Sequence, residues 1–229
     1  MNEKSIQAQV ERISPLTDSI VQLILTPDVY LAYQAGQYLN IIVDKEEQSY
    51  SIANAPLGSH KYELHIRHSG ANSINHRLFA HIKQLGRVEI KLPFGTCSMD
   101  RINSKRPLMF IAGGTGFAPV KAMIEQLLAS DDIRPFELFW GARSQGDLYL
   151  DEKVKHWQAH VSRFKYTSLV SEEGKETLTS TILAQHKQDI NEWDIVISGP
   201  FDMVYSVRDA LVANGVSKTH LFSDAFSFE

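Results

Sequence analysis

The chain has 229 residues, enough for two modest domains that each bury a core. Its formal net charge is −4, and its first 104 residues carry 10 of the 23 basic and 10 of the 27 acidic side chains. That balance excludes the basic excess of a nucleic-acid binder. The single cysteine, Cys97, excludes an intramolecular disulfide, a four-cysteine iron–sulfur cluster and a cysteine-rich zinc site within this sequence.

Residues 1–104 are dominated by short runs of β-branched and aromatic residues: Ile6 to Ile13, Ser19 to Leu25, Gln37 to Val43, Tyr62 to Arg67 and Arg87 to Leu92. Turn residues separate them, among them Thr26-Pro27, Asp44-Lys45 and Pro93-Phe94-Gly95. Such spacing predicts an antiparallel barrel or sandwich. One helical pattern interrupts it from about Ser73 to Gln84, with Ile74, Leu78, Phe79 and Ile82 as its apolar positions.

Two places in this part are candidate binding points. In Gln48-Ser49-Tyr50-Ser51, followed by Ile52, a Tyr beside hydroxyl residues can offer a flat face and short donors to an aromatic ring; taken without context, an ordinary strand is the favoured reading. In Gly70-Ala71-Asn72-Ser73, Asn72 or Ser73 serves as a helix cap or, with free N–H groups, as a phosphate contact. The stretch from His60 to Lys91 is basic, with Lys61, Arg67, Arg77, Lys83, Arg87 and Lys91 against Glu63 and Glu89. A solvated face is the first reading; a phosphate or an acidic partner is the alternative. His76 and His81 are five apart, off the spacing that puts two metal ligands on one helix face, so no metal is expected.

Residues 105–229 alternate strands and helices. An apolar run, Leu108 to Ala112, breaks into Gly113-Gly114-Thr115-Gly116. A helix follows, with Phe117, Val120, Ile124, Leu127 and Leu128 on one face and Lys121, Glu125 and Gln126 on the other. Pro119 suits its first turn. Strand, glycine turn and helix N-terminus together fit a dinucleotide pyrophosphate or an ordinary strand-to-helix connection; neither the G-x-G-x-x-G spacing nor a Walker lysine is present. Strands are then predicted at Phe136 to Trp140, Phe164 to Val170 and Asp194 to Ser198, and helices at Tyr149 to His160, Leu178 to Gln185 and Asp202 to Asn214. This alternation predicts a parallel sheet covered on both faces. Ligands bind at the carboxyl ends of such strands. Gly113–Gly116, Gly141-Ala142-Arg143 and Gly199-Pro200-Phe201 are therefore expected to share one crevice.

Several segments in this order carry a resemblance: Ala35-Gly36-Gln37-Tyr38, Tyr50-Ser51, Gly113–Pro119, Trp140–Arg143, Gly199–Met203 and Asp224-Ala225-Phe226. The chain resembles, over essentially its full length, the ferredoxin–NADP reductase superfamily. Within it the match is to the NAD(P)H:flavin oxidoreductases related to those that supply reduced flavin to bacterial luciferase. The resemblance implies two domains: a flavin-binding, six-stranded antiparallel β-barrel over 1–104 and an NAD(P)-binding α/β domain over 105–229. It implies NADH or NADPH, and riboflavin, FMN or FAD, as the molecules bound.

Carried over by position, it places Tyr50 against the isoalloxazine and Ser51 as the catalytic residue near flavin N5. Gln48, Ile52, His65, Ile66, Gly70, Asn72 and Ser73 fall around the flavin. Gly113, Gly114, Thr115, Gly116, Phe117, Arg143, Gly199, Pro200, Phe201 and Met203 form the nicotinamide nucleotide site, and Phe226 closes the pocket. The family's Arg-x-Tyr-Ser has Gln48 in the Arg position, so flavin phosphates should bind weakly and flavin should act mainly as a substrate. Ser198 stands where many relatives carry Cys.

The leading expectation is an enzyme reducing free flavin, in some settings for a flavin-dependent monooxygenase. One alternative is an FAD-bound reductase component passing electrons to a separate ferredoxin, flavodoxin or oxygenase. Another is a non-catalytic nucleotide-binding module. No apolar run reaches transmembrane length and residues 1–9 carry no signal-peptide core, so a cytoplasmic protein is expected.

Overall fold

The computed structural model describes residues 4–68, 73–102, 105–171 and 177–228, with the backbone alone for 73 and 74. Its first layer is a six-stranded antiparallel sheet. The strands are β1 (Lys4–Pro15), β2 (Ile20–Pro27), β3 (Tyr38–Val43), β4 (Glu46–Ser51), β5 (Tyr62–Arg67) and β6 (Arg87–Phe94), in the spatial order β4-β3-β6-β1-β2-β5. Alternation sets the inward face: Val88, Ile90 and Leu92 of β6 meet Leu23 and Leu25 of β2 and Leu39 and Ile41 of β3. The sheet curls until its two end strands approach, and an isolated bridge between Ile52 and Leu64 closes it. The expected barrel is thus closed by one bridge, not by a continuous ladder. Helix α1 (Ser73–Leu85) plugs it with the buried Leu78 and Ile82.

Strand β4 escapes the five runs read from the sequence. Its residues, Glu46 to Ser51, are polar and lie at the sheet edge, so they show no apolar alternation. The turn before it fixes its register instead. Asp44 and Lys45 both take positive φ, 52° and 68°, in a two-residue hairpin that pairs Val43 with Glu46.

The second layer is a parallel sheet of five strands: β7 (Leu108–Gly113), β8 (Phe136–Ala142), β9 (Phe164–Val170), β10 (Asp194–Ser198) and β11 (Leu221–Phe222), ordered β11-β10-β7-β8-β9. Four helices cover it: α2 (Phe117–Leu128), α3 (Asp151–His160), α4 (Leu178–Gln185) and α5 (Phe201–Ala213). Residues of β7 alternate between two cores. Leu108, Phe110 and Ala112 pack with Val120, Leu127 and Val154, while Met109 and Ile111 pack with Ile182, Val204 and Val207. The chain runs outward from β7 to β9 and then returns to β10 beside β7, so the topological switch point lies between β7 and β10. The two-residue β11 is too short to show a sequence pattern of its own. After it, the carboxylate of Asp224 accepts from the backbone N–H of Thr96, 2.6 Å, and Cys97, 2.9 Å, fastening the C-terminal turn to the segment leaving the first sheet.

Lys121 departs from its expected solvent face. It is 2% exposed and lies between the two layers. Among the described residues, no helix is long and apolar enough to cross a membrane.

Candidate functional site between the two sheets

A cleft of about 850 Å³ opens between the sheets, at the switch point. One wall gathers the three glycine-bearing strand ends. Gly113 ends β7 and Gly114, Thr115 and Gly116 follow it, Gly141 and Ala142 end β8 with Arg143 next, and Gly199, Pro200 and Met203 follow β10; all line the cleft. The expected shared crevice is therefore present. Gly114 takes φ +54°, a left-handed value that lets the chain double back at the end of a buried strand. Gly116 is required by contact: a Cβ there would come within 2.3 Å of the Ser198 carbonyl oxygen. The β7 and β10 ends thus approach backbone to backbone. Helix α2 starts at this turn with no side-chain cap, so its positive end faces the cleft.

Phe117 does not reach the cleft surface. It is fully buried and stacks on Trp140 with centroids 4.0 Å apart. The Trp140 indole Nε1–H donates to the Gly114 carbonyl at 3.0 Å. These two aromatic residues hold the glycine turn from beneath.

The opposite wall comes from the first sheet: Ser49, Tyr50 and Ser51 of β4, His65, Ile66 and Arg67 of β5, and Asn75 of α1. The Tyr50 hydroxyl donates to Asn75 Oδ1 at 2.6 Å, and Asn75 Nδ2 donates to the Arg67 carbonyl at 2.6 Å. Burial pushes the Tyr50 phenol up to about 12, so it stays a neutral donor. Both ring nitrogens of His65 are engaged, Nδ1 with the Tyr149 hydroxyl at 3.0 Å and Nε2 with Glu63 at 2.8 Å. Burial lowers the His65 pKa, which leaves the ring neutral. Arg67 pairs at 3.0 Å with Asp147, which follows β8, and so spans the cleft. Burial raises and the Arg67 bond lowers the Asp147 carboxyl, with a net fall.

Other expected residues sit elsewhere. Ile52 is fully buried and serves the bridge to Leu64. Gln48 lines a separate cavity of about 270 Å³ between β4 and α1, with Glu46, Arg77 and Leu78; Tyr50 is common to this cavity and the cleft. Phe201 is half exposed and lines a third cavity of about 390 Å³, stacked on Tyr205 and edge-on to Phe228. Phe226 lines none of these cavities; Arg208 lies over its ring, and it packs on the α5 core. Gly70 and Asn72 lie outside the described residues, and Ser73 is placed only as the first residue of α1. Ser49, Ser51, Ser198 and Gly199 line both the cleft and the third cavity, so the two spaces meet at Ser51. Arg143 is exposed.

Arg67, Asn75, Asp147 and Tyr149 join the site without a motif to mark them. Arg67 is one of the basic residues between His60 and Lys91; the other three carry no local signal. The cleft suits flat, hydrogen-bonding ligands. One wall offers small hydroxyls and a phenol, the other a backbone turn that no side chain obstructs, and the volume falls in the range of ligand sites.

A family model described as an oxidoreductase NAD-binding domain matches residues 110–209. The chain is 30% identical over 238 residues to the NAD(P)H-flavin reductase of Vibrio harveyi, covering 98% of this chain and 99% of that protein. It is 31% identical over 216 residues to reductase component 1 of terephthalate 1,2-dioxygenase from a Comamonas species, covering 91% of this chain. It spans only 64% of the length of that protein. Among solved structures, the ferredoxin reductase in carbazole 1,9a-dioxygenase superposes with a TM-score of 0.83 at 22% identity, covering 99% of this chain and 70% of that one. That likeness is one of fold.

Proposed function

The chain belongs to the NAD(P)H-flavin reductase family, on the ferredoxin–NADP reductase-like fold, and from that membership we propose that it reduces free flavin with NADH or NADPH. The observation that carries the reading is the meeting of Tyr50-Ser51 with the Gly113–Gly116 turn across one cleft. When both are bound, a hydride passes from nicotinamide C4 to flavin N5, chemistry the cofactors themselves supply.

The protein's own contribution is placement. Gly114, Thr115 and Gly116, with Gly199, Pro200 and Met203, seat the nicotinamide nucleotide, and the N-terminus of α2 favours its pyrophosphate. Arg143 and Gly113 complete that site. Tyr50 gives the flavin ring a flat face held by its bond to Asn75. Ser51, where the two cavities meet, donates to the ring as charge builds on it. His65 and Ile66 back the ring. Gln48, which shares a cavity with Tyr50, would meet the flavin's side chain. Residues 1–104 act as the flavin domain and 105–229 as the nucleotide domain, in a cytoplasmic protein.

The test is oxidation of NADH and NADPH by flavin-stripped protein, with riboflavin, FMN and FAD supplied in turn. Saturable turnover with free flavin supports the reading and sinks the non-catalytic alternative. A second reading is favoured by the relatives that are reductase components: bound FAD passing electrons to a separate ferredoxin, flavodoxin or oxygenase. Flavin retained through gel filtration, with no turnover of free flavin, would select it.

A further inference from the structure

Lys121 has no place in the cleft, yet it is the most deeply buried cation described between the two sheets. Its ammonium has three protons and three acceptors. They are the Ala53 carbonyl at 2.8 Å, Glu63 Oε2 at 3.1 Å and Glu125 Oε1 at 2.9 Å. Glu125, one turn along α2, accepts from the backbone N–H of Ala55 at 3.3 Å. One face of α2 therefore grips the backbone at two points, two and four residues beyond Ser51. Helix α2 is also the helix that the Gly113–Gly116 turn begins.

A second route joins the same two places. Glu63 binds His65, His65 binds the Tyr149 hydroxyl, and the Tyr149 ring meets Trp140 edge-on with centroids 5.2 Å apart. Trp140 in turn holds the Gly114 carbonyl. The segment just after β4, residues of β5, α2 and β8, and Tyr149 before α3 thus form one connected set between Ser51 and Gly114.

Burying a lysine and two carboxylates is not an efficient way to stabilise an interface, since apolar residues of similar volume commonly do as well or better. Directional bonds do supply a fixed geometry. We propose that Lys121 is a positioning residue for hydride transfer, fixing the separation between the ring site at Ser51 and the nicotinamide site at Gly114. This rests on the flavin reductase reading above.

The experiment uses the full chain with Lys121→Met, Lys121→Arg and Glu63→Gln. Single-turnover hydride transfer is followed with 4-deuterated and unlabelled NADH, alongside separate dissociation constants for NADH and riboflavin. Lys121→Met is expected to slow hydride transfer by about 10- to 100-fold, as a shift on the order of 1 Å would, with both dissociation constants within threefold of wild type. Lys121→Arg should recover part of that loss. Glu63→Gln, which keeps the Ala53 and Glu125 bonds, should slow transfer several-fold and serves if Lys121→Met does not fold. Hydride transfer within twofold of wild type in Lys121→Met, or in Glu63→Gln where the former is unfolded, overturns the proposal. So does a loss explained wholly by weaker binding.

If the wild-type protein transfers hydride to no flavin, the functional reading fails, and geometry is then read directly. Spin labels at Gln9→Cys and His156→Cys, both exposed positions on opposite layers, are placed in a Cys97→Ser background. A narrow distance distribution that broadens or shifts in the Lys121 or Glu63 variant keeps the positioning role. An unchanged distribution overturns it.

Discussion

The Trp140 indole reaches from β8 to the Gly114 carbonyl, 3.0 Å away, and so fixes the turn that the nicotinamide site is built on. Trp140→Phe keeps the stack on Phe117 but removes one donor from the half-buried Gly114 carbonyl, which still accepts from the Phe117 N–H. The expected cost is about 0.5–1.5 kcal/mol of stability. We also expect the NADH KM to rise about five- to tenfold with little change for flavin. Urea unfolding and steady-state kinetics check both; an equal rise for NADH and flavin would contradict the assignment of this turn.

Gln48 sits between two bonded pairs on one face of β4: Tyr50 with Asn75, and Glu46 with Arg77. Its cavity holds two carboxylates, Glu46 and Glu47, against the one guanidinium of Arg77. A phosphate entering there meets a neutral amide and an Arg already claimed. Gln48→Arg, and separately Glu46→Gln, should each tighten FMN binding about tenfold while leaving riboflavin within twofold. Quenching of flavin fluorescence measures this. FMN binding no tighter in either variant would mean that the flavin's phosphate does not enter this cavity.

Ser51 lines both the cleft and the third cavity. Ser51→Ala removes one hydroxyl and almost no volume. Its effect should fall on kcat, by about tenfold or more, with flavin dissociation changed less than threefold. Rapid-reaction kinetics separate the two. A change in binding alone would make Ser51 a contact without a catalytic role.

Acid should loosen the interface between the layers. Burial raises the Glu63 carboxyl, but the bond from His65 and the charge of Lys121 outweigh it and bring the pKa to about 2. A carboxylate whose folded pKa lies below its unfolded value stabilises fully above the unfolded pKa and loses that stability as pH falls. The window is from about pH 5 down to 2, and the contribution on the order of 3 kcal/mol. His65, held neutral by burial, acts in the same sense below its ordinary pKa. The urea midpoint should fall steadily from pH 7 to pH 3, and Glu63→Gln should flatten the lower part of that fall. A profile that Glu63→Gln leaves unchanged would mean that other carboxylates dominate.

Local pattern decided much of this molecule. The period-2 runs gave five of the six strands of the first sheet, and the alternation after residue 105 gave the parallel sheet with its helices to within a few residues. The glycine turn was legible because only residues without a Cβ let β7 and β10 approach as closely as Gly116 and Ser198 do. Periodicity says nothing about what packs across from a helix face, so Lys121, on the polar side of α2 by its spacing, is sealed by a second sheet. Strand β4 is polar on both faces and is specified by its hairpin and its neighbour β3. Phe201 and Phe226 are close to the glycine end of β10 and the C-terminus in sequence, yet packing turns one to a separate cavity and the other onto Arg208. Arg67 with Asp147, and Ala53 with Lys121, meet across 80 and 68 residues of chain. The sequence by itself determined the elements and the turn, because those depend on residues a few positions apart; the tertiary structure alone decided which polar groups meet between the sheets, because that depends on how two cores pack.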